Sequence, residues 1–385
     1  MAQQLVADRL VEEAQRKTGL SRFDSESFRE GLERFLADYN TNERPDALVE
    51  RTANDIVAAL ANRLKIQAYH DSRPELAKRP VERPVFVFGV PRTGTTLLSN
   101  LLACDPNRRS ALTWEIDDPV PPPTTATLKT DPRALARLEQ EKAMLAANPD
   151  MGKYYRNSAI YPNECMFFTI SDFRALLWEG RGVLPNYRDW LFSDEIDMSS
   201  TYQYHKHFLQ VLQADAPGIW NLKMPSHALY LETLLKTYPD ARLVWTHRDP
   251  LTATGSFCSL MALSHRGSLG RVDADWLGKN YPWQAVRHAD RIMDFREKHG
   301  EDRIVDVHYA DLMRQPVETM RKLYAALGDD FTPEAEQSMQ SWLADNPQGK
   351  FGRHEYKLGE YGLTPDQVRG MFERYLSKYE VEAEG

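Results

Sequence analysis

The sequence predicts an α/β fold, in which a parallel sheet is covered by helices on both faces. Two observations carry the prediction. Four short apolar runs rich in β-branched and aromatic residues, near 85–90, 218–223, 241–247 and 303–309, are separated by longer stretches with helical spacing. The first run, Val85-Phe-Val-Phe-Gly-Val-Pro-Arg-Thr-Gly-Thr-Thr-Leu-Leu98, passes through a glycine-bounded turn into the start of a helix, the architecture that cradles phosphate on backbone N–H groups. The fold class is therefore a P-loop-type parallel sheet flanked by helices, with an N-terminal helical extension.

Element by element, residues 1–78 place Leu5, Leu10, Val11, Phe28, Leu32, Phe35, Leu36, Val49, Ile56, Val57, Leu60 and Leu64 three or four apart among charges, which reads as amphipathic helices. A proline-punctuated connector ending at Pro84 follows. Two regions are expected: an N-terminal helical region over 1–80, and an α/β domain over 81–385 with helical insertions for the acceptor. Within the second, strand 85–90 leads to a helix over about 95–104 and a proline-rich segment at Pro119–Pro123. Helical patterns follow at about 132–147, 164–178 and 200–214. The run ending at Lys223 precedes a helix to about 237, the run ending at His247 leads through Arg248-Asp-Pro250 into another helix, and the last run precedes a helix over 311–327. Ligands in such sheets bind at the carboxyl ends of the strands, which directs attention to Arg92, Lys223, Arg248 and Tyr309.

With 42% hydrophobic and 27% charged residues, the composition is that of a globular protein. The formal net charge of −8 and the lack of a long basic run argue against a nucleic-acid partner. Cys104, Cys165 and Cys258 are scattered with no C-x-x-C pair, as expected in a reducing compartment. Neither a secretory signal nor a transmembrane stretch is visible, so a cytoplasmic location is expected.

The loop has the glycine spacing of a nucleotide triphosphatase but lacks its lysine. Gly89 and Gly94 are followed by Thr95 and Thr96, and the cation sits inside the loop as Arg92. Lys223 ends a second strand 25 positions before Arg248, and Ser256 follows Arg248 by eight. Three strand ends would thus gather Arg92, Lys223 and Arg248 around one pocket, enough positive charge for a ligand with phosphates at two positions.

With these residues the chain resembles the sulfotransferases that use 3′-phosphoadenosine 5′-phosphosulfate (PAPS), in particular a bacterial branch similar to the tyrosylprotein sulfotransferases. The resemblance covers roughly 84–360. It implies that Pro91, Arg92, Thr93, Gly94, Thr95 and Thr96 bind the 5′-phosphosulfate, that Arg248 and Ser256 bind the 3′-phosphate, and that Lys223 faces the bridging oxygen. Tyr309, in Tyr-Ala-Asp-Leu312, would lie near the adenine, and Lys350 or Arg353 of a C-terminal basic loop would close the site. It further implies sulfuryl transfer without metal, with PAP as product.

A general base is expected near the sulfur. Glu115, beyond the helix that follows the loop, matches the catalytic Glu of the tyrosylprotein branch. His227 is the alternative, although it falls four residues after Lys223 where cytosolic sulfotransferases place a His two residues after. Glu164 is a third candidate. His205 and His207 would point to different faces of a helix, so no metal is expected. The acceptor, a hydroxylated small molecule or lipid-like alcohol, would be held by segments rich in aromatics, among them Trp114, Tyr154, Tyr155, Phe167, Phe168 and Trp276. A homo-oligomer is compatible with the N-terminal helices. A P-loop kinase using ATP, or a non-catalytic nucleotide-binding or interaction protein, is the competing reading.

Overall fold

The computed structural model describes residues 4–147, 158–347 and 357–384. Five parallel strands, β1 (Val85–Gly89), β2 (Arg108–Arg109), β3 (Ile219–Lys223), β4 (Arg242–His247) and β5 (Ile304–His308), form one sheet in the order β2-β3-β1-β4-β5. β1 lies at the centre and every one of its residues is buried, which explains its unbroken apolar sequence. Its side chains alternate between two cores. Phe86 and Phe88 join Leu222, Trp245 and the helix Ser199–Leu212 on one face, while Val85 and Val87 pack with Leu98, Leu101, Leu102 and Val244 on the other.

The register places the functional ends of the strands together. Val87 pairs with Lys223, Gly89 with Thr246, and His247 with His308. Residues that leave β1, β3, β4 and β5 therefore emerge at one edge. From β1 the chain runs to β2 at one edge, returns through β3 and then crosses to β4 on the other side of β1, a reversal of strand order that opens a crevice in sheets of this kind.

Helices α1 (Ala7–Thr18), α2 (Phe28–Tyr39) and α3 (Asp46–Ser72) precede the sheet. Their apolar faces share a core with residues 170–192: Phe35 stands 5.1 Å from Trp178, ring to ring, and Phe28, Leu32 and Leu60 join Phe173 and Leu191 in the same cluster. A buried ion pair fastens them. Arg63 of α3 donates to Asp172 at 2.9 Å, and Asp172 also accepts from Arg174 and Thr201.

The helices expected over 164–178 and 311–327 are interrupted. The first is broken at Phe173, whose φ of 55° lies in the left-handed region, into Met166–Thr169, a 3-10 turn and Leu176–Glu179. The second is divided by Pro316, which begins a new helix and has no N–H for the preceding one. The two-residue β2 is too short for any sequence periodicity to reveal.

Candidate active site

The loop after β1 is held open by backbone geometry that its residues were selected to allow. Gly94 has φ 92°, and a Cβ there would come within 2.6 Å of the Tyr309 ring. At Gly89, φ 151°, a Cβ would meet the Thr246 carbonyl at 2.9 Å. Arg92 takes φ 75° without being glycine, a conformation that costs about 1–2 kcal/mol. Helix α4 (Thr95–Leu102) then starts with its free N–H groups and positive dipole end aimed at the loop. Thr93 turns inward: its hydroxyl lies 2.6 Å from that of Thr246 and donates to the Val90 carbonyl at 2.8 Å, so it braces the loop on β4. Arg92 Nε donates to Ser256 Oγ at 3.0 Å.

Lys223 ends β3 almost fully buried. Its Nζ lies 2.6 Å from Glu164 Oε1 and 3.4 Å from Thr96 Oγ1, at the first turn of α4. Glu164 is fixed from its own backbone outward, because Asn163 N–H donates to the Ala111 carbonyl and Cys165 N–H donates to the Lys223 carbonyl, both at 2.9 Å. The Glu164 side chain keeps 21% of its surface accessible, so the pair faces the crevice.

The other two candidate bases are more deeply buried. Glu115, on the short helix α5 (Thr113–Asp117), is fully buried. It takes both terminal nitrogens of Arg109, one at 3.0 Å, and the Leu112 N–H at 3.0 Å, which occupies its lone pairs. His227 is also fully buried, with Nδ1 2.9 Å from the Tyr202 hydroxyl and the Phe86 ring edge-on at 4.9 Å. Desolvation, reinforced by neighbouring His205, holds its pKa well below the ordinary imidazole value.

Arg248 follows β4 directly. Its guanidinium stacks 4.0 Å over the Tyr309 ring, donates to the Arg92 carbonyl at 2.9 Å, and grips the Glu384 carboxylate through two bonds of 2.6 and 2.7 Å. Asp249 caps the helix Pro250–Leu269 through the Leu251 N–H and accepts the Glu384 N–H at 3.0 Å. The loop, Arg248, Ser256 and Tyr309 thus adjoin one another, and a carboxylate of the chain itself is paired with Arg248 among them. Sequence reasoning missed Glu384, since an acidic residue in the tail gives no signal of its partner, and it missed Arg109, the buried cation six residues before Glu115. Lys350, Arg353, Tyr154 and Tyr155 lie outside the described residues.

Beside Met224 lies a small cavity of mixed lining, with Leu176, Met198 and Met224 alongside Arg174, Thr201 and His227. Of the aromatics expected to hold an acceptor, Trp114 and Phe168 are core. Among the described residues, no helix is long and apolar enough to cross a membrane.

Similarity to known proteins agrees with this geometry. Over its full length the chain is similar to the crystal structure of sulfotransferase STF9 from Mycobacterium avium, with 42% identity and a TM-score of 0.92 over 99% of this chain and 98% of that one. Sulfotransferase STF1 from Mycobacterium tuberculosis H37Rv superposes with a TM-score of 0.84 at 28% identity, covering 97% and 99%. The omega-hydroxy-beta-dihydromenaquinone-9 sulfotransferase Stf3 of Mycobacterium bovis is 25% identical over 294 residues, 74% of this chain and 71% of that protein. The sequence profile of the Sulfotransferase family matches residues 84–333, the span that carries the loop, Lys223, Arg248, Ser256 and Tyr309, and the chain belongs to that family.

Proposed function

We propose that this sulfotransferase moves the sulfuryl group of PAPS to the terminal hydroxyl of a lipid-like acceptor, with Glu164 as general base. The observation that carries the reading is the line Glu164–Lys223–Thr96, which puts a carboxylate and a cation side by side at the N-terminus of α4. Glu115 is fully buried in its pair with Arg109 and His227 is fully buried with Nδ1 at the Tyr202 hydroxyl, whereas the Glu164 side chain keeps part of its surface accessible.

The residues divide the work by charge. The loop N–H groups, Thr95, Thr96 and the α4 dipole hold the 5′-phosphate. Arg248 and Ser256 hold the 3′-phosphate, with Tyr309 beside the adenosine. Glu164 accepts the acceptor's proton as its oxygen bonds to sulfur, and the bond from sulfur to the bridging oxygen breaks. Lys223 faces the negative charge that develops on that bridging oxygen, supported by Arg92. The products are the sulfate ester and PAP, and the proton leaves through Glu164. The lipid-like acceptor is supported by the similarity to the omega-hydroxy-beta-dihydromenaquinone-9 sulfotransferase Stf3.

The test is transfer of labelled sulfate from PAPS, in EDTA, to a panel of prenylated quinols, fatty alcohols, sterols, phenols and sugars, with PAP binding measured alongside. Turnover with the long-chain alcohols supports the reading. PAP binding with no turnover on any acceptor would leave a binding protein, and a requirement for ATP and magnesium would make it a kinase.

A further inference from the structure

Directly behind the Glu164–Lys223 pair lies a cluster that the proposed reaction does not use. Cys165, His205 and His227 each offer one ligand atom within 4.8 Å of the other two, and all three side chains are buried. His205 comes from the helix Ser199–Leu212, His227 from the turn after β3, and Cys165 from the segment that joins β3 through its N–H. Three separate segments thus converge on one point.

Both imidazoles are half satisfied. His205 Nδ1 is 2.7 Å from the Tyr238 hydroxyl and His227 Nδ1 is 2.9 Å from the Tyr202 hydroxyl. Neither Nε2 has a hydrogen-bond partner among the described residues, although both rings are fully buried. An unpaired buried ring nitrogen costs free energy, and here there are two in one cluster. With the proton on Nδ1, directed at the tyrosine oxygen, each Nε2 presents a lone pair. Metal-bound histidines are oriented by the same kind of outer hydrogen bond.

We propose that Cys165, His205 and His227 form a structural site for a thiophilic d10 metal ion. The donor set of one thiolate and two imidazoles is soft. Metal–ligand distances of about 2.0–2.3 Å would separate three trigonal donors by roughly 3.5–4.0 Å, so closing the site from separations within 4.8 Å needs a contraction of no more than about 1.3 Å. Binding releases the Cys165 thiol proton and forms the metal–sulfur bond, with no change of oxidation state. No fourth His, Cys, Asp or Glu joins the cluster among the described residues. The nearby charges, Glu164 and Lys223, cancel each other. A monovalent ion would leave thiolate, two imidazoles and metal neutral in an apolar core, whereas a divalent ion would leave one positive charge there. Charge balance therefore favours Cu(I) over Zn(II). His227 also lines the small cavity beside Met224. The ion would tie the segment carrying Glu164 to the segment that follows Lys223, outside the reacting atoms.

The test uses the full chain, loaded anaerobically with Cu(I) in one arm and Zn(II) in the other, then desalted. Metal content by mass spectrometry and the ligand set by X-ray absorption are the readouts. One equivalent per chain with one sulfur and two nitrogen neighbours is expected, lost in Cys165→Ser and kept in Cys258→Ser. Retention of Zn(II) alone with that ligand set keeps the site but overturns the charge argument. Less than about a fifth of an equivalent in both arms, or a stoichiometric ion without sulfur, overturns the site. Because the ligand set is read on the unaltered chain, the outcome stands even where a variant fails to fold.

Discussion

Glu164 and Lys223 meet through a 2.6 Å ion pair although 59 residues separate them, and the Lys223 carbonyl in turn accepts the Cys165 N–H. The carboxylate is thus anchored by the strand that carries its cation. If it is the base, Glu164→Gln should lower kcat by about 10²–10⁴-fold while PAP binding changes little, since the amide keeps the shape but cannot take a proton. Glu115→Ala should act differently. It leaves Arg109 buried without its partner, which costs roughly 3–5 kcal/mol and shows in the Tm. Steady-state kinetics and thermal unfolding of the two variants separate the roles, and a Glu164→Gln enzyme with near-normal kcat would refute the assignment.

Lys223 reaches the first turn of α4 from a different strand, with Nζ 3.4 Å from Thr96 Oγ1, and in the proposed reaction it faces the bridging oxygen. Lys223→Met should reduce kcat by about 10²–10³-fold, the usual cost of removing one group aimed at developing charge. The KM for the donor should move less, because the loop N–H groups and Arg248 remain. Single-turnover kinetics at saturating PAPS measure this directly, and an equal loss in donor affinity would assign Lys223 to ground-state binding instead.

Arg248 cannot hold a 3′-phosphate and the Glu384 carboxylate through the same nitrogens. Glu384→Gln should therefore tighten PAP binding, by about fivefold, the upper range for an ion pair near the surface. Arg248→Ala should weaken PAP binding and abolish the effect of the Glu384 change. Isothermal titration of the two single variants and the double variant tests the coupling, and additive effects would show that the tail and the donor do not compete.

The parts of the site legible in the sequence are those set by short-range constraints. The loop could be read because Gly89, Gly94 and the following threonines have fixed spacing, and Arg248 and Ser256 because one strand end and two helical turns join them. Glu164 was legible only as a helix-start acid, since nothing local reveals a partner 59 positions away. Glu115 matched a family pattern, but its buried pair with Arg109, six residues earlier, gave no local signal. The Cys165–His205–His227 cluster was hidden for the same reason: His205 and His207 look like the pair, yet they sit on different sides of one helix, and the true neighbours come from other segments. The N-terminal helices were plain from periodicity, while their shared core with residues 170–192 depends on contacts such as Arg63 with Asp172 that span more than a hundred positions.

Glu179 gives a pH test of the fold independent of the chemistry. It is buried, accepts from Asn280 Nδ2 at 2.7 Å, and desolvation pushes its pKa from 4.5 to about 7 against the opposing bonds of Asn280 and Gln284. Since the folded pKa exceeds the unfolded one, the folded state binds the extra proton between these values. The resulting stabilisation is complete below pH 4.5 and is lost as pH rises through 7. The buried His265 and His288, each lowered to about 4, act in the opposite sense, because they are stabilising above pH 6.5 and destabilising as pH falls toward 4. Comparing Glu179→Gln with the unaltered chain cancels their contribution, which is common to both. The variant should gain relative stability of roughly 3 kcal/mol between pH 4.5 and 8, from the size of the shift. Urea unfolding at several pH values gives the difference, and parallel stability curves would mean that Glu179 keeps an ordinary pKa in the folded protein.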